Sequence, residues 1–188
     1  AELVAEEFNR AGGVMGQKVV LVIEDDECKP ETATSTASKL VSDGVVAVMG
    51  HICSGATESA LGVYVDTEMV TISPSATLPS LTQSQMYPSF FRTIAADNDQ
   101  AKVSVEFIVE ELELKSIAVL HDKGAYGQGF AELVKEYAEA NGIAVPLFEG
   151  VNPGAPDYSS VVNKIQNSNV QGVVWGGYHP EGSKIVQQ

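Results

Sequence analysis

The segment VVAVMGHICSGATES (Val45–Ser59) changes its pattern of residues halfway along. It opens with an apolar run, which is typical of a strand that is covered on both faces of a parallel sheet. From Thr57 onwards the pattern predicts a helix. Between the two lie His51, Cys53 and Ser54, whose side chains can serve nucleophilic, metal-binding or hydrogen-bonding chemistry. The segment therefore predicts a strand followed by a helix, with polar groups at the carboxyl end of the strand.

The same alternation of short apolar runs and helical patterns extends along the whole chain. The predicted strands are Lys18–Ile23, Val45–Met49, Met69–Ile72, Ser116–Leu120, Ala144–Phe148 and Val170–Trp175, with a short edge strand at Ser89–Thr93. The predicted helices are Ala1–Ala11, Glu31–Ser42, Thr57–Asp66, Gln100–Glu111, Gly127–Asn141 and Tyr158–Asn167. Because strands and helices alternate, the sequence predicts an α/β fold with parallel sheets flanked by helices.

One connection interrupts this alternation. The segment from Ser73 to Gln100 is rich in Ser, Thr and Pro, and a long irregular connection in an α/β protein is usually functional or crosses between domains. We therefore predict a first lobe over 1–96, a hinge at Ala96–Asp99, and part of a second lobe over 97–188. Since a doubly wound lobe rarely opens on a helix, we also expect a strand before Ala1, which makes this a partial chain.

The composition excludes some classes of partner. Of the 188 residues, 44% are hydrophobic and 19% are charged, which is enough for a packed core. The 11 basic and 25 acidic residues give a formal net charge of −14. Such a surface repels phosphate backbones and anionic membrane surfaces, so we expect no nucleic-acid partner. No apolar run approaches the roughly 20 residues that span a bilayer.

The two cysteines, Cys28 and Cys53, allow two interpretations. If they are joined, they close a loop of roughly 25 residues, which the chain-entropy model values at about 3.5 kcal/mol. A disulfide would also indicate an oxidising compartment. Alternatively, both are free, partly buried thiols of a cytosolic protein, and their spacing alone does not decide between the two.

Polar segments follow four of the predicted strands. They are His51–Ser54, Ser73–Thr77, His121–Gly129 and Gly176–Gly182. In open α/β sheets, ligands bind beyond the carboxyl ends of the strands. These four segments are therefore the candidate site.

Enzymatic and metal chemistry fit these segments poorly. A hydrolase nucleophile elbow needs Gly-x-Ser-x-Gly, whereas Ser54 is flanked by Ile52 and Ala56. A metal site built on His51 with Cys53, or on His121 with Asp122, would need two further convergent ligands. The glycines at 124, 127 and 129 are too loosely spaced for a dinucleotide fingerprint. We expect no catalytic residue, no metal and no cofactor.

Ligand binding requires less of the same residues. Ser54 lies at the start of a predicted helix, whose free N–H groups attract a carboxylate. Ser75 can offer a backbone carbonyl and Thr77 a hydroxyl to an ammonium group, while Tyr126 and Tyr178 can close over an apolar side chain. The alternatives are local capping bonds for the hydroxyls and ordinary packing for the tyrosines.

Six segments, in this order and spacing, resemble a known family. The chain resembles the branched-chain amino-acid substrate-binding proteins of ABC transporters, which belong to the type I periplasmic binding proteins. The segments are FNRAGGVMGQKVVLVIEDDECKPETA, VMGHICSGAT, TISPSATLPSLT, FFRTIAADNDQ, LHDKGAYGQGFAE and VVWGGYHPEG. The resemblance covers essentially the whole chain and implies two Rossmann-like lobes, incomplete here, with more of both lobes expected after Gln188.

The resemblance also implies a role for individual residues. Ser54 and Thr77 would hydrogen-bond the carboxylate of an amino acid, and the backbone of Ser75, next to Ala76, would accept from its ammonium group. Tyr126 and Tyr178 would close on the ligand from the second lobe. An acidic partner of the ammonium group is expected beyond this chain. Cys28 and Cys53 match the disulfide pair of the family.

The resemblance thus implies a non-enzymatic protein that is either periplasmic or anchored to the membrane on its extracytoplasmic side. It would capture a small aliphatic amino acid, such as leucine, between its lobes and deliver it to the membrane permease of an ABC importer, acting as a monomer. A sensor or regulatory domain for amino acids or amides, with the same fold, is the alternative. A serine hydrolase using Ser54 is the third hypothesis.

Overall fold

The computed structural model describes residues 1–188, and its six strands form two parallel sheets. The first sheet has the order β1-β2-β3 and the second the order β5-β4-β6, and every pair is parallel. The strands are β1 (Ala47–Met49), β2 (Val70–Ser73), β3 (Phe90–Arg92), β4 (Ser116–His121), β5 (Ala144–Gly150) and β6 (Gly172–Gly176). The predicted α/β class with parallel sheets is confirmed, including the edge strand β3.

Helices precede or follow most of these strands. They are α1 (Glu2–Arg10), α2 (Pro30–Ser42), α3 (Ser54–Tyr64), α4 (Ser80–Gln83), α5 (Asp97–Glu110), α6 (Ala125–Ala140), α7 (Ser159–Asn167) and α8 (His179–Gln187). A 3₁₀ turn over Val65–Thr67 follows α3. None of the helices combines the length and the apolar character that crossing a membrane requires.

The first sheet is covered by helices on one face. Buried alanines let α2 and α3 approach each other and the sheet closely, among them Ala33, Ala37, Ala56 and Ala60. The opposite face presents Met49, Ile72 and Phe91 to solvent. The alternation of buried and exposed residues along β1 and β2 follows directly from the two-residue period of a strand.

The second sheet is covered on both faces around its central strand. Residues Ile117 to Leu120 of β4 are fully buried. Helices α5 and α6 pack on one side of the sheet through residues such as Val105 and Val134. Tyr158 and Val161, at the start of and within α7, pack with Leu120 on the other side. Because both faces of β4 are buried, its sequence is a continuous run of apolar residues.

The predicted strand Lys18–Ile23 is wrong, because this segment pairs with no other strand. Val20 is 80% exposed and Ile23 is 67% exposed. Instead of a ladder, the side-chain amide of Asn9 donates to the Val19 carbonyl at 2.8 Å and accepts from the Val19 N–H at 2.7 Å. An apolar run forms a strand only where a neighbour satisfies its backbone groups.

Helix α8 was not predicted from the sequence. Its first turn contains Pro180, a residue that suits the start of a helix because its missing N–H has no intrahelical acceptor there. The sequence predicts only a polar segment over Gly176–Gly182. The structure instead begins a helix at His179, directly after Tyr178.

Candidate functional site

The polar segments that follow β1 and β2 contact each other at the carboxyl edge of the first sheet. The buried hydroxyl of Ser73 donates to the His51 carbonyl at 2.6 Å. The same oxygen accepts the backbone N–H groups of Ser75 and Ala76, at 3.2 and 2.9 Å. Because β1 and β2 are neighbouring parallel strands, their carboxyl ends meet, and Ser73 joins the two loops into one surface.

Ser54 fixes the second of these loops through its side chain. Its oxygen accepts the backbone N–H groups of Thr77 and Leu78, both at 3.2 Å, and the residue is only 2% exposed. Ser54 is also the first residue of α3, which Cys53 precedes as N-cap. The N–H groups of the first turn of α3 therefore lack intrahelical acceptors, and such a terminus attracts anions.

The segment Ala76–Leu78 is held by further backbone contacts. The N–H of Asp97 donates to the Thr77 carbonyl at 3.0 Å. The Arg92 guanidinium donates to the Ala76 carbonyl at 3.4 Å and to the Leu78 carbonyl at 3.0 Å. Every backbone N–H and carbonyl of this segment is thus paired within the protein, which fixes its shape.

Two polar groups of the same loop remain uncommitted. The Ser75 carbonyl accepts no hydrogen bond within the chain, and the Thr77 hydroxyl forms none of normal geometry. Ser75 is half-buried, and Ala76 beside it is fully buried. A carbonyl oxygen and a hydroxyl at the rim of a fixed loop can bind a donor group of a ligand.

The two predicted tyrosines are neighbours at the carboxyl edge of the second sheet. Tyr126 lies in the first turn of α6 and Tyr178 is the N-cap of α8. Their ring centroids are 5.6 Å apart, with an angle of 41° between the ring planes. Burial, together with Asp122, Tyr126 and Asp97, raises the pKa of Tyr178 to about 12, so its phenol is protonated at neutral pH.

Close backbone contact brings α6 to the end of β6. A Cβ atom on Gly127 would lie 2.3 Å from Oδ1 of Asp122 and 2.5 Å from the Gly176 carbonyl oxygen. The same Oδ1 accepts the Gly124 N–H at 2.8 Å, and burial raises the pKa of Asp122. Only glycine fits at position 127 without displacing these atoms, and this approach sets the position of Tyr126.

The two groups of predicted residues lie near each other. A Cβ atom on Gly55 would be 3.6 Å from the Cβ of Ala125, which places the starts of α3 and α6 side by side. The Gln100 side-chain amide in α5 donates to the Tyr126 hydroxyl at 3.4 Å. The structure therefore brings the serine and threonine group of the first sheet and the tyrosine pair of the second to a common region.

His51 is committed to a structural network. Its Nδ1 lies 2.5 Å from Oδ2 of Asp26 and its Nε2 lies 3.1 Å from the Tyr64 hydroxyl. Burial and the charge of Asp26 raise the pKa of Tyr64 to about 12. Since both ring nitrogens of His51 are occupied, this histidine cannot act as a base for Ser54. No group of three or more His, Cys, Asp or Glu side chains is arranged to hold a metal ion.

A disulfide joins Cys28 to Cys53, with a Cα–Cα distance of 5.4 Å and a sequence separation of 25. It lies beside the contact between Asp26 and His51, so both bonds tie the same acidic segment to the loop before α3. The pairing that the family resemblance implied is confirmed.

The sequence gives no role to three residues that shape the site: Arg92, Asp97, and Ser73, which was expected only as the first residue of a candidate segment. Each acts on a segment that lies apart from it along the chain, and no local motif marks such a contact. Asp97 was noted only as part of the predicted hinge. Its helical position at the start of α5 and its complete burial emerge from the structure alone.

One cavity lies elsewhere. Its volume is about 390 Å³, and it opens at the amino ends of β2 and β3. It is lined by Leu61, Tyr64, Val65, Glu68, Met69, Tyr87, Pro88, Ser89 and Phe90. None of the predicted site residues lines it, so it is distinct from the site described above.

Parallel sheets with uncommitted polar groups beyond their carboxyl ends define a class of α/β ligand-binding proteins. A model of one family, described as "Periplasmic binding protein", matches residues 1–188. The chain belongs to this family, whose members are substrate-binding proteins rather than enzymes.

Individual relatives agree with the family. A "Leucine-, isoleucine-, valine-, threonine-, and alanine-binding protein" of Pseudomonas aeruginosa is 45% identical over 188 residues, covering 100% of this chain and 50% of the relative. The "Leu/Ile/Val-binding protein" of Escherichia coli K12 is 37% identical, covering 100% of this chain and 51% of the relative. The chain therefore spans about half the length of these relatives.

Solved structures show the same fold. The branched-chain amino acid transporter substrate-binding protein LivJ of Streptococcus pneumoniae, in complex with isoleucine, matches with a TM-score of 0.85 and 29% identity. The match covers 99% of this chain and 53% of that structure. The leucine-binding protein LivK of Thermotoga maritima matches with a TM-score of 0.84 at 20% identity, over 91% of this chain and 48% of that structure, which supports the fold alone.

Proposed function

We propose that the protein containing this chain binds a small aliphatic amino acid and delivers it to an ABC importer. The observation that carries the proposal is the cluster at the carboxyl edges of both sheets. It offers unpaired groups for both charged ends of an amino acid, next to an aromatic pair. Relatives named for binding leucine, isoleucine and valine support the same class of ligand.

The charged ends of the ligand have different partners in this proposal. The carboxylate lies at the amino end of α3, where the N–H groups of Ser54 and Gly55 are free of intrahelical acceptors. The ammonium group donates to the Ser75 carbonyl, beside Ala76. The Thr77 hydroxyl adjoins both ends of the ligand and contributes a further hydrogen bond. These contacts select a zwitterion.

The aliphatic side chain of the ligand extends towards Tyr126 and Tyr178. Their rings offer apolar surface, and their hydroxyl groups keep a polar edge towards the backbone of the ligand. Because Ser54 and the tyrosines belong to different sheets, a ligand that contacts both stabilises the arrangement in which they are close.

We propose that these two sheets belong to separate lobes, 1–96 and 97–188, which move about a hinge near 96–99. The closed, ligand-bound form, a monomer, is the one that the membrane permease recognises. The disulfide between Cys28 and Cys53 supports a site of action outside the cytoplasm, in the periplasm or anchored at the outer face of the membrane.

Titration calorimetry on the complete protein tests the proposal. We expect leucine, isoleucine or valine to bind with a submillimolar Kd. The methyl ester of the same amino acid, which lacks the negative charge, should bind at least tenfold more weakly if the carboxylate lies at α3. Absence of binding by all aliphatic amino acids would contradict the proposed function, and equal affinity for the ester would contradict the α3 contact.

A further inference from the structure

The carboxyl group of Asp97 has no hydrogen-bond partner although it is completely buried. Asp97 is the first residue of α5 and has 0% exposure. Neither Oδ1 nor Oδ2 forms a hydrogen bond within the protein. Burying a carboxylate without partners is unfavourable, and groups of this kind are rare in folded proteins. The fold therefore gains no hydrogen bond from the Asp97 carboxyl group.

The cationic neighbour of Asp97 is used by other groups. The guanidinium of Arg92 donates to the carbonyls of Ala76 and Leu78, and to the Thr82 hydroxyl. It acts on Asp97 only through its charge. Burial raises the pKa of Asp97, and the positive charge of Arg92 opposes this rise only in part.

The hydroxyl of Thr77 is the uncommitted donor beside this carboxyl group. The two residues are already joined through the Asp97 N–H, which donates to the Thr77 carbonyl at 3.0 Å. A hydroxyl has one proton and two lone pairs. If the proton is donated to Asp97, the Thr77 oxygen presents only lone pairs to the ligand. Such an oxygen accepts a hydrogen bond from an ammonium group and repels a carboxylate.

The charge of Asp97 also extends to the second sheet. It is one of the groups, with Asp122 and Tyr126, whose negative or polar character disfavours ionisation of Tyr178. Asp97 is therefore bonded to Thr77 through its backbone, and its charge is a minor contribution to the raised pKa of Tyr178.

We propose that Asp97 is a positioning residue that makes the site selective for ligands with an α-ammonium group. It orients the Thr77 hydroxyl as an acceptor and supplies a buried negative charge next to the ligand. An α-keto acid of the same shape, which has a carboxylate but no ammonium group, is rejected by the same arrangement. This inference rests on the proposed function and names a determinant of its selectivity.

The test compares two ligands and four forms of the complete protein. Leucine and 4-methyl-2-oxopentanoate share the side chain and the carboxylate and differ at the amino group. Calorimetry gives their affinity ratio for the wild type and for D97N, T77V and D99N. Asp99 lies in the same turn of α5 but is exposed, so D99N removes a charge at the surface only.

We expect D97N to weaken leucine binding by about tenfold or more, the value of a hydrogen bond to a charged group, and to leave the keto acid unaffected or more tightly bound. T77V should reduce the ratio in the same way, and D99N should leave it unchanged. If D97N does not fold, T77V alone decides the outcome.

Two results would overturn the inference. One is an equal loss of affinity for both ligands, which keeps the ratio and indicates a merely structural role, and the other is an unchanged affinity for both ligands in D97N and T77V. If the wild type binds leucine and these variants keep its ratio, only the inference fails. If the wild type binds no amino acid, the proposed function fails, and the inference with it.

Discussion

The Ser54 hydroxyl shows how single side chains organise the site. Its oxygen accepts two backbone N–H groups of the Thr77–Leu78 segment, and its remaining proton is free to be donated. A hydrolytic nucleophile would need a base at this oxygen, but both ring nitrogens of His51 contact Asp26 and Tyr64. Ser54 therefore holds the Thr77–Leu78 segment in place, and its proton remains available for a further hydrogen bond.

The substitution Thr77→Val tests the contribution of one uncommitted hydroxyl. Valine keeps the shape but loses the hydrogen bond to a charged ligand group, which is worth about 1.5–3 kcal/mol. We expect the Kd for leucine to rise by about tenfold or more, measured by calorimetry. As a control, Thr67→Val changes a hydroxyl that donates to the Tyr64 carbonyl beyond the far end of α3 and should leave the Kd unchanged. An unaltered Kd in Thr77→Val would contradict the role of this hydroxyl.

The sequence indicated the site residues at strand ends better than the residues that support them. Ser75 and Thr77 could be predicted because the carboxyl ends of adjacent parallel strands meet at one edge. Whether they contact a ligand remains a prediction. Ser73 and Asp97 could not be assigned, because their contacts depend on how loops that are distant in sequence pack against each other.

Among the secondary structure elements, the segment before α2 depends on the disulfide. The segment 18–29 belongs to no sheet, and Cys28 joins it covalently to the start of α3. Loop closure over 25 residues is worth about 3.5 kcal/mol in the chain-entropy model. We expect reduction of the disulfide to lower the free energy of unfolding by about this amount, measured by urea titration.

The double variant with Cys28→Ser and Cys53→Ser is the control for this measurement. It should show the lower stability without reductant and no further change when reductant is added. A wild type whose urea midpoint is insensitive to reduction would show that the other contacts of the segment, such as that between Asp26 and His51, are sufficient to hold it.

The junction of α6 and β6 requires a glycine at position 127. Gly127→Ala would place a methyl group against Asp122 and the Gly176 carbonyl, and overpacking of this kind costs about 1–3 kcal/mol. Gly62→Ala, in the interior of α3, meets no atom within 4 Å and should instead stabilise by about 0.5–1 kcal/mol. Urea unfolding of both variants checks the opposite signs. If Gly127→Ala is as stable as the wild type, the close approach is not required.

Element prediction from the sequence failed where an element depends on a distant partner. The run Lys18–Ile23 has the composition of a strand, but strand formation needs a neighbouring backbone, and none in this chain pairs with it. Helix α8 was missed because its first turn, with Tyr178 and Pro180, looks like a polar loop. By contrast, β4 was predicted closely, since burial on both faces leaves an apolar run in the sequence itself.

At the scale of the whole molecule, a ligand that contacts both sheets should raise the free energy of unfolding of both together. A ligand that binds only the folded protein adds RT ln(1 + [L]/Kd) to its stability, or about 2.7 kcal/mol at 100 times Kd. We expect leucine to raise the urea midpoint by a corresponding amount, followed by both fluorescence and circular dichroism. Glycine has the same charged groups but no side chain to contact Tyr126 and Tyr178, and should protect less at equal concentration. Equal protection by the two amino acids would contradict a contact with these rings.

The lone carboxyl group of Asp97 implies that this protein is less stable than its fold permits. Burial raises the pKa of Asp97 in the folded state, so ionisation of this group as the pH rises carries an energetic penalty for folding that a neutral side chain of the same size avoids. We expect Asp97→Asn to raise the urea midpoint in the absence of ligand, whereas the exposed Asp99→Asn should not change it. A lower midpoint in Asp97→Asn would show that the carboxylate supports the fold. Selection for thermal stability alone would therefore favour replacement of this aspartate. The same replacement would remove the proposed discrimination between amino and keto acids, so stability and ligand selectivity place opposite demands on position 97.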